Sequence, residues 1–187
     1  MKELSLNILD IAQNSITAEA DLVEISLNET DTTLTLTVKD NGYGMSPEFL
    51  ASVHDPFSTT RTTRKVGLGI PLLKLAAEQT DGYIDLRSTQ RSADPENCGT
   101  VITAFFNKDH LDFTPIGDIV STITTLLQGF PDIDYVFSHR IETGGAEKLI
   151  AIDTRDMRVI LGDEVPLSDP MVLVWVKETL EEQYSAL

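Results

Sequence analysis

Apolar residues near the N-terminus recur at the helical period. Leu4, Ile8, Ile11, Ala12 and Ile16 predict an amphipathic helix from Leu4 to Ala18. Asn7, Asp10 and Asn14 sit at i, i+3 and i+7, so they share a second, polar face of it. The pattern then changes to alternation. Val23, Ile25 and Leu27, and after them Leu34, Leu36 and Val38, alternate with polar residues around the turn-forming stretch Asn28 to Thr32. That predicts a β-hairpin. Ser46-Pro47 fits an N-cap and first helical position for a short helix ending near His54. Leu68 to Thr80 reads as a helix stopped by Gly82. Tyr83 to Thr89 and Thr100 to Phe106 read as strands around a loose loop, Gln90 to Gly99.

The periodicity resumes after a boundary placed at Asn107 to Pro115. Ile116, Ile119, Val120, Ile123, Leu126 and Leu127 mark an amphipathic helix that stops at Gly129 and Pro131. Ile133 to Glu142 and Glu147 to Asp153 form a second predicted hairpin around Gly144-Gly145. Asp169-Pro170 opens a last helix running towards Tyr184. The division this suggests is residues 1–108, then a small α-β-β-α module over 116–187.

Composition narrows the function. The chain has 187 residues, 41% hydrophobic and 24% charged, with a formal net charge of −16. So acidic a chain lacks the clustered Lys and Arg that sequence-independent nucleic-acid binding needs, and anionic membranes should repel it. No segment offers an apolar run of membrane length and no signal peptide is evident. Cys98 is the only cysteine, which excludes an internal disulfide or a cysteine-rich zinc site. The expected location is the cytoplasm. Of the histidines, His54, His110 and His139 are expected to be ordinary loop or strand residues.

Candidate chemistry lies in the first 108 residues. Asp10 and Asn14 are one helical turn apart; a carboxylate can orient or deprotonate a nucleophile, and an Asn oxygen suits Mg²⁺. Asp40 ends an apolar strand just before Gly42 and Gly44, where absent side chains let a flat ring approach the backbone. Gly67 and Gly69 stand at a helix mouth, which favours phosphate. Arg61, Arg64 and Lys65 concentrate positive charge just before it. Taken singly, each feature better suits a plain role: a solvated helix face, a strand-ending turn, a wet loop.

Taken in order, the motifs resemble the GHKL ATPases, whose nucleotide fold is known as the Bergerat fold. An N box, Asp10-Ile11-Ala12-Gln13-Asn14-Ser15 followed by Ala18, precedes an adenine loop, Asp40-Asn41-Gly42-Tyr43-Gly44-Met45. A lid opens with Asp55-Pro56-Phe57-Ser58-Thr59-Thr60-Arg61 and closes with Gly67-Leu68-Gly69-Ile70, and Gly99-Thr100 opens the last strand. The resemblance covers roughly residues 1 to 108. It implies a two-layer α/β fold, a mixed, largely antiparallel sheet covered by helices, and ATP with Mg²⁺ as cofactors. Asn14 would hold the Mg²⁺ and Asp40 would receive the adenine amino group. Gly42, Gly44 and Met45 would wall the pocket, with Ala18 and Ile70 nearby and Thr100 close to Asp40. The lid, with Phe57, Thr60, Arg61 and Lys65, would fold over the phosphates beside Gly67, Leu68 and Gly69. Asp10 would be the catalytic residue; family ATPases usually carry Glu there, so this chain is shorter by one methylene. There is no room upstream of Leu4 for the helices that bear a phospho-accepting histidine, and there is no P-loop motif.

Three functions follow as expectations. The chain is an ATP-hydrolysing switch, a serine/threonine kinase of the anti-sigma-factor type, or a non-catalytic ATP-binding module. Residues 116–187 carry two open readings: they only pack against the ATP-binding domain and cover its apolar face, or they dock a protein partner or a second copy of the chain.

Overall fold

The computed structural model describes residues 3–53, 69–162 and 164–186. The first helix is α1, Leu4–Thr17. Strands β1, Leu22–Glu29, and β2, Thr33–Asp40, form the first hairpin. Helices α2, Pro47–Val53, and α3, Gly69–Glu78, flank the segment that lies outside the described residues. Strands β3, Tyr83–Thr89, and β4, Gly99–Asn107, follow. After them come α4, Ile119–Gly129, the hairpin of β5, Asp134–Thr143, and β6, Ala146–Asp153, then α5, Thr154–Leu161, and α6, Pro170–Ser185.

The described strands make one sheet in the order β3-β4-β2-β1-β5-β6. β1 and β5 run parallel, from Leu22 opposite Asp134 to Glu29 opposite Ile141. Every other neighbouring pair is antiparallel. The sheet is therefore mixed and largely antiparallel. Helices α3, α1, α4 and α6 touch in that order and cover one face as a second layer.

Alternation explains which side is covered. Val23, Ile25 and Leu27 of β1, Leu34, Leu36 and Val38 of β2, and Ile102, Ala104 and Phe106 of β4 are all buried. Successive strand residues point to opposite faces, so each set shares the helix-covered side. From above, α1 contributes Leu4, Ile8, Ile11 and Ala12, all essentially inaccessible. Each such Leu or Ile contributes about 1.5–3 kcal/mol by leaving water.

Residues 116–187 join the same sheet and core. Leu126, Leu127, Tyr135, Phe137, Val176 and Leu180 belong to the buried cluster that includes Leu4 and Val23. The entry to α4 is tied to α1, since the Leu4 and Ser5 amides donate to the carbonyls of Pro115 and Ile116 at 2.9 and 2.8 Å. α4 begins three residues later than its apolar period suggests. Gly117 takes a φ of +77° and Asp118 caps the helix, accepting from the Ser121 amide at 2.9 Å. α5 has no counterpart in the sequence reading. It starts directly at the end of β6, where the Asp153 carboxylate accepts from the Arg155 amide at 3.0 Å.

His139 of β5 is buried. Its Nδ1 meets the Tyr184 hydroxyl of α6 at 2.8 Å, and its Nε2 meets Glu29 Oε2 at 3.0 Å. Lys108 Nζ lies 2.6 Å from the other Glu29 oxygen. The hydrogen bond from His139, and then Lys108, hold the Glu29 carboxyl below its ordinary range despite its burial.

Candidate functional site

The site is built on the end of β2. Its buried row, Leu34, Leu36, Val38, ends in Asp40, a carboxylate where the pattern calls for an apolar residue. Register places Asp40 opposite Thr100 of β4, and Thr100 opposite Ser88 of β3. α1 crosses above and brings Ser15. Three donors therefore converge on the Asp40 carboxylate. The amides of Gly42 and Thr100 reach Oδ1 at 2.9 and 3.2 Å, and the Ser15 hydroxyl reaches Oδ2 at 2.8 Å. A carboxylate has about four acceptor positions, so one position on Oδ2 is left over among the described residues. Asp40 is only 9% exposed. Burial pushes its carboxyl above the ordinary aspartate range, against the pull of the three hydrogen bonds.

The second row of the site is a closed hydroxyl network. The Met45 amide donates to Ser88 Oγ at 2.8 Å. Ser88 Oγ lies 2.9 Å from both the Gly99 carbonyl and Thr100 Oγ1. One consistent assignment has Ser88 donating to Gly99 and Thr100 donating to Ser88, which leaves no hydroxyl unsatisfied. Thr100 thus meets Asp40 through its backbone amide, while its side chain fixes Ser88. Neither Ser15 nor Ser88 stood out among the candidates. Ser15 had a signal, because it follows Asn14 in the N box; Ser88 had none short of strand register.

The glycines have an internal reason to be glycine. A Cβ on Gly44, whose φ is +69°, would lie 2.0 Å from the Thr89 carbonyl oxygen. A Cβ on Gly42 would lie 2.6 Å from the Ala18 carbonyl oxygen. That oxygen already accepts from the Tyr43 amide at 2.8 Å. The loop from Asp40 to Met45 is thus held close to Ala18 at one end and to Thr89 at the other.

Asp10 and Asn14 lie on the side of α1 that faces α3. Gly69, the first residue of α3, is so close that a Cβ there would sit 2.9 Å from Asp10 Cβ. The Asn14 side-chain nitrogen is buried without a hydrogen-bond partner among the described residues, and so is that of Asn7. A buried amide without a partner is costly, so such a group calls for an explanation. An Asn side chain can turn to offer oxygen instead. With Asp10 one turn away, the pair offers hard oxygen donors of the kind that suit Mg²⁺. Ile70, buried in α3, and the half-buried Met45 and Ala18 supply apolar surface. Phe57, Thr60, Arg61, Lys65, Gly67 and Leu68 lie outside the described residues.

A helix-covered mixed sheet with a buried, triply hydrogen-bonded aspartate at the end of a central strand defines a class. The chain belongs to the histidine kinase-, DNA gyrase B- and HSP90-like ATPase family, whose profile matches residues 1–110. That membership implies ATP binding. Over 112 residues the chain is 27% identical to a protein of Rickettsia bellii named as an NtrY-like sensor histidine kinase, covering 59% of this chain and 17% of that protein. Over 93 residues it is 32% identical to the sensor protein SrrB of Staphylococcus aureus, covering 47% and 16%. The chain thus spans about a sixth of the length of these curated relatives. Among solved structures, the fold resembles the N-terminal domain of a DNA repair protein, with a TM-score of 0.54, 15% identity and coverage of 87% of this chain and 58% of that one. It also resembles the MutL ATPase domain of Aquifex aeolicus complexed with ADP, with a TM-score of 0.50, 16% identity and coverage of 99% and 70%. No described helix is long and apolar enough to cross a membrane.

Proposed function

We propose that the domain binds ATP with Mg²⁺ between α1, the Asp40 loop and α3, and acts as an ATP-hydrolysing conformational switch. The observation that carries this reading is the single acceptor position left on Asp40 Oδ2 after three donors have fixed the carboxylate. An exocyclic amine fits it, as at C6 of adenine, where guanine carries a carbonyl instead. Asn14 would hold the Mg²⁺, which when bound neutralises charge on the triphosphate. Asp10 would orient or deprotonate the attacking water. The N-terminus of α3, with Gly69 first, would face the phosphates, where free amides and the helix dipole favour negative charge.

Residues 116–187 would relay the change to a protein partner. Support comes from the helix row: α4 packs on α1, which carries Asp10 and Asn14, and α6 packs on α4. ATP labelled on the γ-phosphate tests the assignment. Release of free phosphate by the full chain, lost in Asp10→Asn, supports the switch. Label transferred to a protein serine or threonine would instead make the domain a kinase. Bound ATP that stays intact would make it a non-catalytic module.

A further inference from the structure

The outer face of α6 has two halves of different chemistry. Val172, Val176 and Leu180 turn inward and are buried. On the opposite side, Met171, Val174 and Trp175 are 78%, 53% and 50% exposed. Helical spacing aligns them with Glu178, Glu181 and Glu182, which are also exposed, so the six residues form one stripe. Its N-terminal part is apolar and its C-terminal part is acidic. Lys177 sits beside the stripe and pairs with Glu181 at 3.8 Å. Glu178 and Glu182 have no ion-pair partner among the described residues.

We propose that this stripe is the docking surface for an amphipathic helix of a partner protein, one whose apolar positions are continued by lysines or arginines on the same face. Its twelve-residue span, Met171 to Glu182, corresponds to about 16 Å at 1.5 Å per rise, three turns of a docked helix. Tryptophan and methionine are enriched in interface cores, and Trp175 is the chain's only tryptophan. The acidic half selects the occupant. Glu178 and Glu182 would meet a basic side chain favourably and a like charge unfavourably. A second copy of this chain, with its net charge of −16, fits worse than a basic partner, and so does a nucleic acid or an anionic membrane. The surface deepens the partner-docking role proposed for residues 116–187. It does not depend on nucleotide, so it is tested without ATP and fails or stands separately from the ATP assignment.

The test uses the full chain and three synthetic peptides of about 18 residues, long enough to span the stripe. One is an amphipathic helix with Leu and Phe in its first half and Lys on the same face in its second. Another has Glu in place of Lys, and the third is a scramble without helical period. Peptide anisotropy gives affinity, and Trp175 emission reports whether the stripe is desolvated. The Lys peptide should bind at least tenfold tighter than the Glu peptide and the scramble, shift Trp175 emission to the blue, and weaken with salt. The exposed double variant Glu178→Lys, Glu182→Lys should reverse the preference between Lys and Glu peptides, with far-UV circular dichroism unchanged. Trp175→Ala should lower affinity for the Lys peptide at least tenfold. Equal binding of Lys and Glu peptides, or binding without a change in Trp175 emission, would overturn the proposal. So would a dimer at micromolar concentration whose Trp175 emission is already blue-shifted, since a second copy would then cover the stripe.

Discussion

Replacing Asp40 by Asn separates folding from nucleotide recognition, because the two carboxylate oxygens have different jobs. Oδ1 accepts two backbone amides, from Gly42 and Thr100. An asparagine that keeps its oxygen there keeps both bonds. Its nitrogen then takes the place of Oδ2, facing the Ser15 hydroxyl. That hydroxyl already lies 3.3 Å from the Ile11 carbonyl, so it can donate there and accept from the new amide. Three charge-assisted hydrogen bonds become neutral ones, and the cost of holding a desolvated charge disappears with them. The net change in stability should be small, about 1 kcal/mol or less. For the nucleotide the change is unfavourable, because an amide donor now faces the adenine amino group. An unmatched buried donor costs about 1–3 kcal/mol, which is roughly 5- to 150-fold in affinity. Calorimetry with ATP and GTP, alongside thermal unfolding without ligand, reads both quantities. ATP affinity should fall by that factor and the gap between ATP and GTP should narrow, while the midpoint hardly moves. Unchanged ATP affinity would refute the adenine assignment. A collapse in stability without ligand would show that the carboxylate is needed by the fold itself.

Three further outcomes are expected. Asp10→Asn should bind ATP nearly normally but lose about 100-fold or more in turnover, as for a general base, whereas Asn14→Ala should lose Mg²⁺-dependent binding; single-turnover kinetics and calorimetry separate them. Acidification should act on two carboxyls with opposite sign. Glu29 has a lowered carboxyl pKa in the fold, so its stabilisation is complete above the ordinary glutamate value and is lost as pH falls through the folded one; thermal melts against pH should show that loss in wild type and not in Glu29→Gln. Asp40 has a raised value, so lowering the pH should weaken ATP binding before the fold is lost, without destabilisation from Asp40 itself. Ending the chain at Asn107 strips β5 from β1 along eight register pairs and removes α4 from α1. Aggregation or loss of ATP binding is expected, as judged by size-exclusion chromatography and calorimetry; a soluble, ATP-binding fragment would show that residues 1–107 stand alone.

Legibility in the sequence followed the strength of local pattern. α1 and the β1–β2 hairpin were readable because Leu4, Ile8, Ile11 and then Val23, Ile25, Leu27 keep strict periods and bury them. The second hairpin was readable for the same reason. α5 was not, because only Thr154 and Met157 turn inward while Val159 and Ile160 are more than four-fifths exposed. No apolar stripe marks it; its start is set by the Asp153 cap. The parallel pairing of β1 with β5 joins residues more than a hundred positions apart, and alternation says nothing about which strand lies beside which. In the site, Asp40 was visible as a carboxylate ending an apolar row, next to turn residues. The Ser15 and Ser88 contacts depend on helix placement and strand register, which are tertiary facts. The glycine-rich loop was found from composition, but its physical reason is the close approach of Ala18 and Thr89.

The most direct test of the central claim is a crystal structure of the full chain grown with a non-hydrolysable ATP analogue and Mg²⁺. The account predicts adenine between the Asp40 loop and α1, with its amino group within hydrogen-bond distance of Asp40 Oδ2, and the metal against the Asn14 side chain. Nucleotide bound with its base away from Asp40, or crystals at saturating analogue with no nucleotide between α1 and α3, would contradict it.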